Sequence, residues 1–458
     1  MNNHENTRST FSGKLGFILA TAGSAVGLGN IWRFPYLAAK YGGGMFLLVY
    51  IILAMTFGYT MIISETALGR MTGKSPVGAF RSFGNRLTNR FGGWINAIIP
   101  MLIVPYYSVI GGWVCKYLFS YLTGPQGAIA EDGYFGAFIG SAGQQVLWFV
   151  VFIALVLFII YRGVEKGIEW ISRLMMPALV VLAVIIAVYS VTRPGALEGV
   201  KYFLIPDFSH FSWMTVVAAL GQMFYSLSIA MGILVTFGSY MKKDVDMDSS
   251  AVQVEIFDTA IAIMAGLMII PAVFAFSGGA PEVLQSGPSL MFVTMPKIFA
   301  SMGFGRPIGI IFFVLVLFAA LTSAISLTES CVSTFEDEFH LSRTVGTTIM
   351  GVEMLVLGVL NCLGFNVLGS VSVAGMGILD LFDFMTNSIM MPIAAIFICL
   401  LILKQAGISN IENEVTQGNA AGFKRRGIYS FVLRYVAIAF LVIILASSIA
   451  NVLGIIHI

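Results

Sequence analysis

Residues 23–36 read GSAVGLGNIWRFPY, and this stretch lies in the middle of an apolar segment that runs from residue 14 to residue 38. Glycine destabilises a helix, and Asn30 is a polar residue at membrane depth. A second interruption, SLSIAMG at residues 226–232, lies in the middle of the apolar segment 212–241. Non-helical backbone survives in a membrane only where protein buries it or a cavity borders it. The sequence therefore predicts two broken membrane helices.

The composition places the chain in a membrane. Of its 458 residues, 58% are hydrophobic and 10% are charged, whereas soluble proteins average about 45–50% apolar and about 25% charged residues. The net charge is +2, so no basic excess indicates a nucleic-acid partner. The cysteines have neither disulfide nor metal spacing and are expected to be small packing residues. They are Cys115, Cys331, Cys362 and Cys399.

Eleven segments are long and apolar enough to cross a membrane as helices, for which about 20 residues are needed. They are residues 14–38, 43–69, 92–121, 144–162, 167–191, 212–241, 251–276, 306–338, 343–364, 372–404 and 427–455. The segment 288–302 is only moderately apolar and contains two prolines. We therefore expect it to form a short helix in a loop.

Basic residues indicate which ends of the spans face the cytoplasm, because Lys and Arg stay inside. The loop after the second span is basic, whereas the loop at 122–143 has no Lys or Arg. These charges predict a cytoplasmic N-terminal tail at residues 1–13 and, with eleven spans, a C-terminus outside. The first apolar run has no small-residue cleavage signal after it, so we expect no removable signal peptide. The basic residues used are Arg70, Lys74, Arg81, Arg86, Arg90, Lys242, Lys243, Lys424, Arg425 and Arg426.

The two interrupted spans hold corresponding places in two five-span halves, residues 14–191 and 212–404, which residues 427–455 follow as an eleventh span. Paired interruptions of this kind are typical of transporters that are built from inverted repeats and bind substrate between them. Gly23 and Gly27 could instead form a small-residue face between packed helices. That alternative explains neither Asn30 nor the second interruption.

The stretch at 23–36, the three glycines at 42–44 and ETALGR at 65–70 resemble the neurotransmitter:sodium symporter family. The resemblance covers residues 8–455 and is closest to the bacterial amino-acid branch, which includes LeuT and the eleven-span multihydrophobic amino-acid transporters. It implies an all-α polytopic, LeuT-like 5+5 inverted repeat in the cell membrane of a prokaryote. It also implies sodium-coupled import of an amino acid by alternating access, by a monomer or weak dimer without an organic cofactor.

The resemblance implies two sodium sites built from carbonyl and side-chain oxygens. The first would use Ala25, Asn30, Ser226 and, from the seventh span, Asp258. The second would use Gly23, Val26, Ala319, Thr322 and Ser323. Without the motif in the first span, Thr322 and Ser323 would be ordinary helix hydroxyls bonded to their own backbone.

The resemblance also places the substrate. Its carboxylate would lie on the N–H groups of Leu28 and Gly29, on the first sodium and on the Tyr107 hydroxyl. Its ammonium would face carbonyls near Ala25 and Tyr225 and the Ser228 hydroxyl. The remaining residues predicted to bind substrate are Ile103, Ser226, Met231, Ser323 and Leu327. For any single aromatic or Met, core or lipid packing is the more frequent role.

Gly27 indicates the class of substrate. Relatives that carry monoamines, which lack a carboxylate, have an aspartate at this position. Here the position has no side chain, so the substrate is expected to bring its own carboxylate. We therefore predict a neutral, hydrophobic or aromatic L-amino acid.

Gates are predicted on both sides of this site. Outside, Arg33 would pair with Asp383 above a lid formed by Tyr107 and Tyr225. Inside, Arg8 would pair with Asp337 near Tyr240, although Arg8 could instead be a positive-inside anchor. Glu65 is expected to accept hydrogen bonds from unwound backbone. In the fifth span, Gly167 and Pro177 resemble a motif that unwinds this helix in bacterial relatives; alone, they would be a plain kink.

The seventh span departs from chloride-dependent relatives, which place Asn and Ser four residues apart there. This chain has EIFD at residues 255–258, while Tyr50 and Gln222 match other positions of the chloride site. We predict that transport needs no chloride, because Asp258 supplies a fixed negative charge. The alternative is that Asp258 merely faces the cytoplasmic vestibule.

Two other classes of function compete with a transporter. A channel would need a continuous selectivity lining, which two thin gates around a central site do not provide. A membrane enzyme would need a convergent catalytic set, but the four histidines are scattered and no nucleophile–base pair is evident. The prediction is therefore a transporter and not an enzyme.

Overall fold

The computed structural model describes residues 9–278, 288–418 and 422–452, and this part of the chain is almost entirely helical. Two isolated β-bridges are present, and no named strand occurs among the described residues. The helices are α1 Lys14–Ala25, α2 Gly29–Lys40, α3 Gly44–Thr72, α4 Pro76–Arg81, α5 Leu87–Thr123, α6 Gln126–Ile129, α7 Tyr134–Gly140, α8 Ala142–Tyr161, α9 Val164–Val191, α10 Ala196–Leu204, α11 Trp213–Ser226, α12 Ile233–Ser239, α13 Met247–Ser277, α14 Leu290–Ser301, α15 Gly305–Phe339, α16 Arg343–Leu363, α17 Ile378–Ala406, α18 Ile408–Thr416 and α19 Arg426–Val452.

Nine helices in the described ranges are long and apolar enough to cross a membrane, and α1 with α2 forms a tenth candidate bent by 54°. They correspond to ten of the eleven predicted spans. The predicted sixth span is present as two short helices, α11 and α12. The segment 288–302 contains the short helix α14, as its two prolines predicted.

Both predicted interruptions are present. The first separates α1 from α2, where Val26 is extended with φ −76° and ψ 93°. The second occupies the six residues between α11 and α12, where Ser228, Ala230 and Gly232 have φ of +55°, +59° and +71°. Residues other than glycine adopt positive φ at a steric cost. The surrounding protein must therefore hold this segment in place.

Glu65 of α3 helps to stabilise the segment between α11 and α12. Its Oε1 atom accepts a hydrogen bond of 2.8 Å from the Ala230 N–H, and the side chain is fully buried. The Ala230 N–H has no carbonyl partner within a helix, because the helix is broken there, and Glu65 takes the place of that partner. The predicted structural role of Glu65 is confirmed.

The fifth span differs from the expectation of an unwound helix. Helix α9 is continuous from Val164 to Val191 and begins with a π-helical stretch, Val164–Glu169, that contains Gly167. Pro177 is accommodated inside the helix. The wider π turn accommodates the local mismatch in helical hydrogen bonding without opening the chain. In this structure the motif therefore marks a π turn and not a break.

The helices differ in how much of their surface they bury. In its most apolar stretch α5 is 83% buried and α15 is 72% buried, whereas α19 is only 33% buried. Helix α5 packs along α15, α1 contacts α9, α13 and α15, and α12 lies against α3. The broken helices therefore lie in the centre of the bundle, and α19 lies at its edge. All four cysteines are buried and free, as predicted for packing residues.

Candidate functional site

The two breaks border one central cavity with an empty volume of about 360 Å³. All eleven residues predicted to bind substrate line it, which brings together four separate parts of the chain. The lining is Ser24, Ala25, Gly27, Leu28, Gly29, Asn30, Ile103, Tyr107, Tyr225, Ser226, Ser228, Met231, Ile233, Ser323 and Leu327.

One end of the cavity offers hydrogen-bond donors from the start of α2. The Leu28 N–H points at the Tyr107 hydroxyl over 3.3 Å. A Cβ atom added at Gly27 would lie 2.7 Å from Ser323 Oγ and 3.1 Å from the Tyr107 hydroxyl. No side chain fits at residue 27 unless these groups move. Free main-chain N–H groups at a helix start attract anions.

The cavity also contains a group of serines that sequence reasoning partly missed. Ser228 donates to the Ser24 carbonyl over 3.1 Å, and Ser323 donates to the same carbonyl over 3.0 Å. Ser24 was not predicted as a site residue, although a polar residue inside the glycine-rich break was a usable signal. Ile233 also lines the cavity, and nothing in its local sequence distinguishes it from core residues.

Asp258 lies at the centre of a buried polar cluster beside the first break. Its Oδ1 atom accepts hydrogen bonds from Asn30 at 2.8 Å and from Ser226 at 2.7 Å. Its Oδ2 atom accepts one from the Tyr50 hydroxyl at 2.7 Å. Asp258 is 0% exposed, so it does not face the cytoplasmic vestibule. The carboxyl group of Asp258 therefore joins Asn30, Tyr50 and Ser226 into one buried cluster.

A second group of oxygen atoms lies where α1 meets α15. Ser323 Oγ is 3.4 Å from the Gly23 carbonyl and 3.4 Å from the Val26 carbonyl. Thr322 Oγ1 lies 3.2 Å from the Ala319 carbonyl. The structure thus places two carbonyls of the break beside the Ser323 hydroxyl, whereas the Thr322 hydroxyl donates to carbonyls of its own helix, including that of Phe318 at 2.9 Å. No cluster of three His, Cys, Asp or Glu side chains suited to a metal occurs in the described ranges.

A vestibule of about 1,280 Å³, called the outer vestibule because the sequence predicts that this side faces outside, adjoins the cavity and shares Leu28, Tyr107 and Tyr225 with it. Arg33 and Asp383 line this vestibule, but they form no ion pair in the described structure. The Arg33 guanidinium instead lies 5.5 Å from the centre of the Tyr225 ring.

Asp383 accepts hydrogen bonds from Tyr106 at 3.2 Å and from Asn387 at 2.6 Å. The predicted direct contact between Arg33 and Asp383 is thus not made here, since each group is engaged on its own wall of the vestibule. Tyr106 and Asn387 were missed by sequence reasoning. Asn387 follows Asp383 by one helical turn, which was a usable signal.

The opposite side of the cavity is closed by packed side chains. The Phe11 ring packs against Phe17, Phe237 and Tyr240, and the Phe11 N–H donates to the Tyr240 carbonyl over 3.1 Å. Asp337 accepts a hydrogen bond of 2.5 Å from the Ser75 N–H. Arg8, the predicted partner of Asp337, lies outside the described residues.

A buried ion pair near Tyr240 was missed. The Tyr240 hydroxyl donates to Glu329 over 2.7 Å, and Glu329 forms a 2.5 Å ion pair with Arg343. Glu329 is fully buried, and a carboxylate within an apolar span is itself a signal of function. The inner side of the cavity therefore carries more charge contacts than the sequence predicted.

The fold and the cavity define a class of protein: a multi-pass helical membrane protein with a central small-molecule site at two helix breaks. The chain belongs to the Sodium:neurotransmitter symporter family, whose family model matches residues 8–127 and 135–455. It is thus a sodium-dependent transporter, and the family is one of transporters and not of enzymes.

Individual relatives agree with this assignment. The sodium-dependent transporter YhdH of Bacillus subtilis is 34% identical over 429 residues, which are 93% of this chain and 94% of that protein. The sodium- and chloride-dependent GABA transporter 2 of Bos taurus is 28% identical, over 83% of this chain and 70% of that protein. The crystal structure of MhsT in complex with L-phenylalanine is similar with a TM-score of 0.86 and 37% identity, covering 96% of this chain and 100% of that chain. The LeuT-like fold is therefore confirmed.

Proposed function

We propose that this protein imports a neutral, hydrophobic or aromatic L-amino acid together with sodium, by alternating access. The observation that carries the proposal is the donor-lined cavity at the first break, which leaves no room for a side chain at Gly27. A protein carboxylate at that position would bind an amine. Its absence leaves the Leu28 and Gly29 N–H groups to an acid group of the substrate, which would share the Leu28 donor with the Tyr107 hydroxyl. The structural neighbour MhsT has been crystallised with L-phenylalanine, which has the proposed chemistry.

The substrate carboxylate would accept hydrogen bonds from Leu28, Gly29 and the Tyr107 hydroxyl. The ammonium would face the Ser24 carbonyl and the Ser228 hydroxyl, which lie 3.1 Å apart. The side chain would lie among Ile103, Met231 and Leu327, which are apolar and buried. In this orientation the carboxylate and the ammonium of the substrate both meet polar groups of the cavity. The apolar side chain of the substrate lies against apolar residues.

Two sodium ions would accompany the substrate. The first would bind at Ala25, Asn30, Ser226 and Asp258, and the second at Gly23, Val26, Ala319, Thr322 and Ser323. Both sets supply oxygen ligands at unwound backbone, where carbonyl groups lack helical partners. Asp258 would offset the charge of the first ion, so transport would need no chloride.

Alternating access would use eleven spans, with α11 and α12 as the two halves of the sixth. The first five spans, within residues 14–191, would move against the next five, within residues 212–404, around the central cavity. The N-terminal tail, residues 1–13, would lie in the cytoplasm, and the C-terminus after span 427–455 would lie outside the cell membrane. The wide outer vestibule and the packed inner side are the arrangement expected of an outward-facing state.

The test is binding of the twenty amino acids to the purified protein with and without sodium, with matched amines as controls. L-Phenylalanine should bind only with sodium, and phenethylamine, which lacks the carboxylate, should bind at least tenfold more weakly. Equal binding of the amine would overturn the proposed carboxylate site. Binding that is indifferent to sodium would overturn the coupling.

A further inference from the structure

A second large cavity lies at the far end of α17, away from the central site. It has an empty volume of about 1,240 Å³ and is bordered by α17, α18 and the beginning of α19. Its lining is Leu403, Ile408, Ser409, Glu412, Arg426, Gly427, Ser430 and Arg434. None of these residues takes part in the proposed transport site.

Three polar residues of α19 face this cavity from one side of the helix. Arg426, Ser430 and Arg434 are spaced by four residues, and residues at that spacing lie on the same helix face. Arg434 lies about 12 Å along the axis from Arg426, at a rise of about 1.5 Å per residue. Helical side chains tilt toward the N-terminus of their helix, so Arg434 reaches back toward Ser430 and Arg426.

The charges of the cavity do not balance. Glu412 forms a 2.8 Å ion pair with Arg426 and accepts a 2.9 Å hydrogen bond from Ser430. Arg434 is exposed, and it has no hydrogen bond or ion pair with another residue in the described ranges. Glu412 therefore offsets the charge of Arg426, and no carboxylate among the described residues offsets the charge of Arg434. The cavity carries one excess positive charge.

Arg434 lies on an exposed and strongly apolar face of α19. The helix is only 33% buried in its most apolar stretch, and Phe431 and Tyr435 beside Arg434 are 59% and 70% exposed. An arginine on such a surface is costly unless an anion accompanies it. Aromatic residues at this level are typical of the boundary between headgroups and acyl chains. The ligand that fits is negatively charged at one end and apolar at the other.

We propose that this cavity binds the headgroup of an anionic glycerophospholipid from the leaflet at the α17–α19 connection. The phosphate oxygens would accept hydrogen bonds from Arg434, and the acyl chains would follow α19 beside Phe431 and Tyr435. A zwitterionic lipid fits less well, because Arg426 and Ser430 already occupy the Glu412 carboxylate that an ammonium group would need. Assignment of this leaflet as cytoplasmic rests on the proposed topology, whereas lipid binding does not rest on transport.

The experiment is titration of the detergent-purified protein with phosphatidylglycerol or phosphatidylcholine of equal chain length, with bound lipid counted by native mass spectrometry. The variants are Arg434→Gln, Arg434→Lys and, as a matched control, Arg90→Gln, because Arg90 is exposed and lies outside this cavity. Phosphatidylglycerol should bind the wild type in preference to phosphatidylcholine. Arg434→Gln should bind it roughly tenfold to a hundredfold more weakly, as loss of a charge-assisted hydrogen bond implies. Arg434→Lys should keep most of the affinity, and Arg90→Gln all of it.

Several results would overturn the lipid site. They are equal binding of the two lipids, unchanged binding in Arg434→Gln, or an equal loss in Arg90→Gln. Displacement of the lipid by inorganic phosphate would show a simple anion site in its place. Sodium-dependent binding of L-phenylalanine, measured on the same preparations, reports on the proposed function separately, so each proposal can fail without the other.

Discussion

Asp258 is the residue whose surroundings bear most directly on ion coupling. It is fully buried and accepts hydrogen bonds from Asn30, Tyr50 and Ser226, so its charge is shared by three spans. A sodium ion at the proposed first site would bring a positive charge into the same region. Unit charges 4 Å apart interact by about 4 kcal/mol at an effective dielectric of 20. A nearby anion therefore matters energetically for sodium binding.

Replacing Asp258 with Ser should create a chloride requirement. The substitution removes the fixed charge and leaves space beside the Tyr50 and Ser226 hydroxyls. We expect uptake by Asp258→Ser proteoliposomes to fall at least tenfold when gluconate replaces chloride, while wild-type uptake stays constant. The matched control is Glu255→Gln on the same helix, where the carboxylate pairs with Arg425 over 2.9 Å, outside the Asp258 cluster. Chloride-dependent uptake by the wild type would contradict the prediction.

Thr322 and Ser323 allow a second test at single-residue scale. Thr322→Val with Ser323→Ala removes both hydroxyls at nearly constant volume. The sodium concentration for half-maximal uptake should rise by at least about a hundredfold, since two contacts to a charged group are lost and each contributes about 1.5–3 kcal/mol. Uptake of labelled L-phenylalanine against sodium concentration measures this change.

A control for that double variant is available on the same helix. Ser326 and Thr328 bond only to backbone carbonyls of α15, over 2.9 Å and 2.7 Å. Ser326→Ala with Thr328→Val removes the same two groups away from the first break and should leave sodium dependence unchanged. An unaltered sodium dependence in the Thr322 and Ser323 variant would count against the second ion site.

At the scale of elements, the break between α11 and α12 depends on a partner from another helix. Three of its residues have positive φ, and two of these are not glycine. Its conformation is therefore not one that the segment would keep alone. Glu65 lies on α3, 165 residues away from the Ala230 N–H that it accepts. The broken helix and its neighbour are in this sense one structural unit.

Removing the Glu65 acceptor should destabilise the protein. Glu65→Ala leaves the buried Ala230 N–H unpaired, which costs about 1–3 kcal/mol. Glu65→Gln keeps a carbonyl acceptor at the same place and should lose less. Thermal unfolding of substrate-free protein in detergent measures both, with Glu131→Ala as a control at an exposed loop glutamate. Equal stability of Glu65→Ala and the wild type would refute the role of this hydrogen bond.

At the scale of the whole molecule, the two sides of the cavity are built differently. The outer side is an open vestibule separated from the cavity by Leu28, Tyr107 and Tyr225. The inner side is closed by Phe11 and by the contacts of Asp337 and Glu329. Loss of a charged contact on one side should therefore shift the molecule toward opening on that side.

Asp337→Ala and Asp383→Ala should have opposite effects on access to the cavity. A cysteine introduced at Leu327, which lines the cavity, serves as the reporter, and the buried native cysteines give a low background. Loss of the hydrogen bonds that either carboxylate accepts should change labelling by at least about tenfold. Asp337→Ala should increase labelling from the inside. Asp383→Ala should increase labelling from the outside in the presence of substrate.

The control is Asp380→Ala, because Asp380 lines the same vestibule one turn before Asp383. This variant should label as the wild type does on both sides. Equal labelling of all three variants and the parent from both sides would refute the division into an outer and an inner gate.

The sequence alone determined the features that depend on local composition. Apolar length predicted the spans, and glycine, serine and asparagine within the first and sixth spans predicted their breaks, because backbone that cannot remain helical must lie against a cavity. The family resemblance added the residues that line this cavity. It could do so for the breaks because the motif there is specific, and it added residues of the unbroken helices α5 and α15 only through the match of the whole chain to the family.

Only the tertiary structure decided which side chains meet across the bundle. Asp258 and Tyr50 are 208 residues apart, and Glu329 pairs with Arg343 of α16 and with Tyr240, which follows α12. The partners of Arg33 and Asp383 were also decided by the packing, since Arg33 lies over the Tyr225 ring and Asp383 accepts a hydrogen bond from Tyr106. The sequence could propose the charged residues but not their partners. A buried polar group bonds to whichever neighbour the packing brings within about 3 Å, and sequence separation carries no information about that distance.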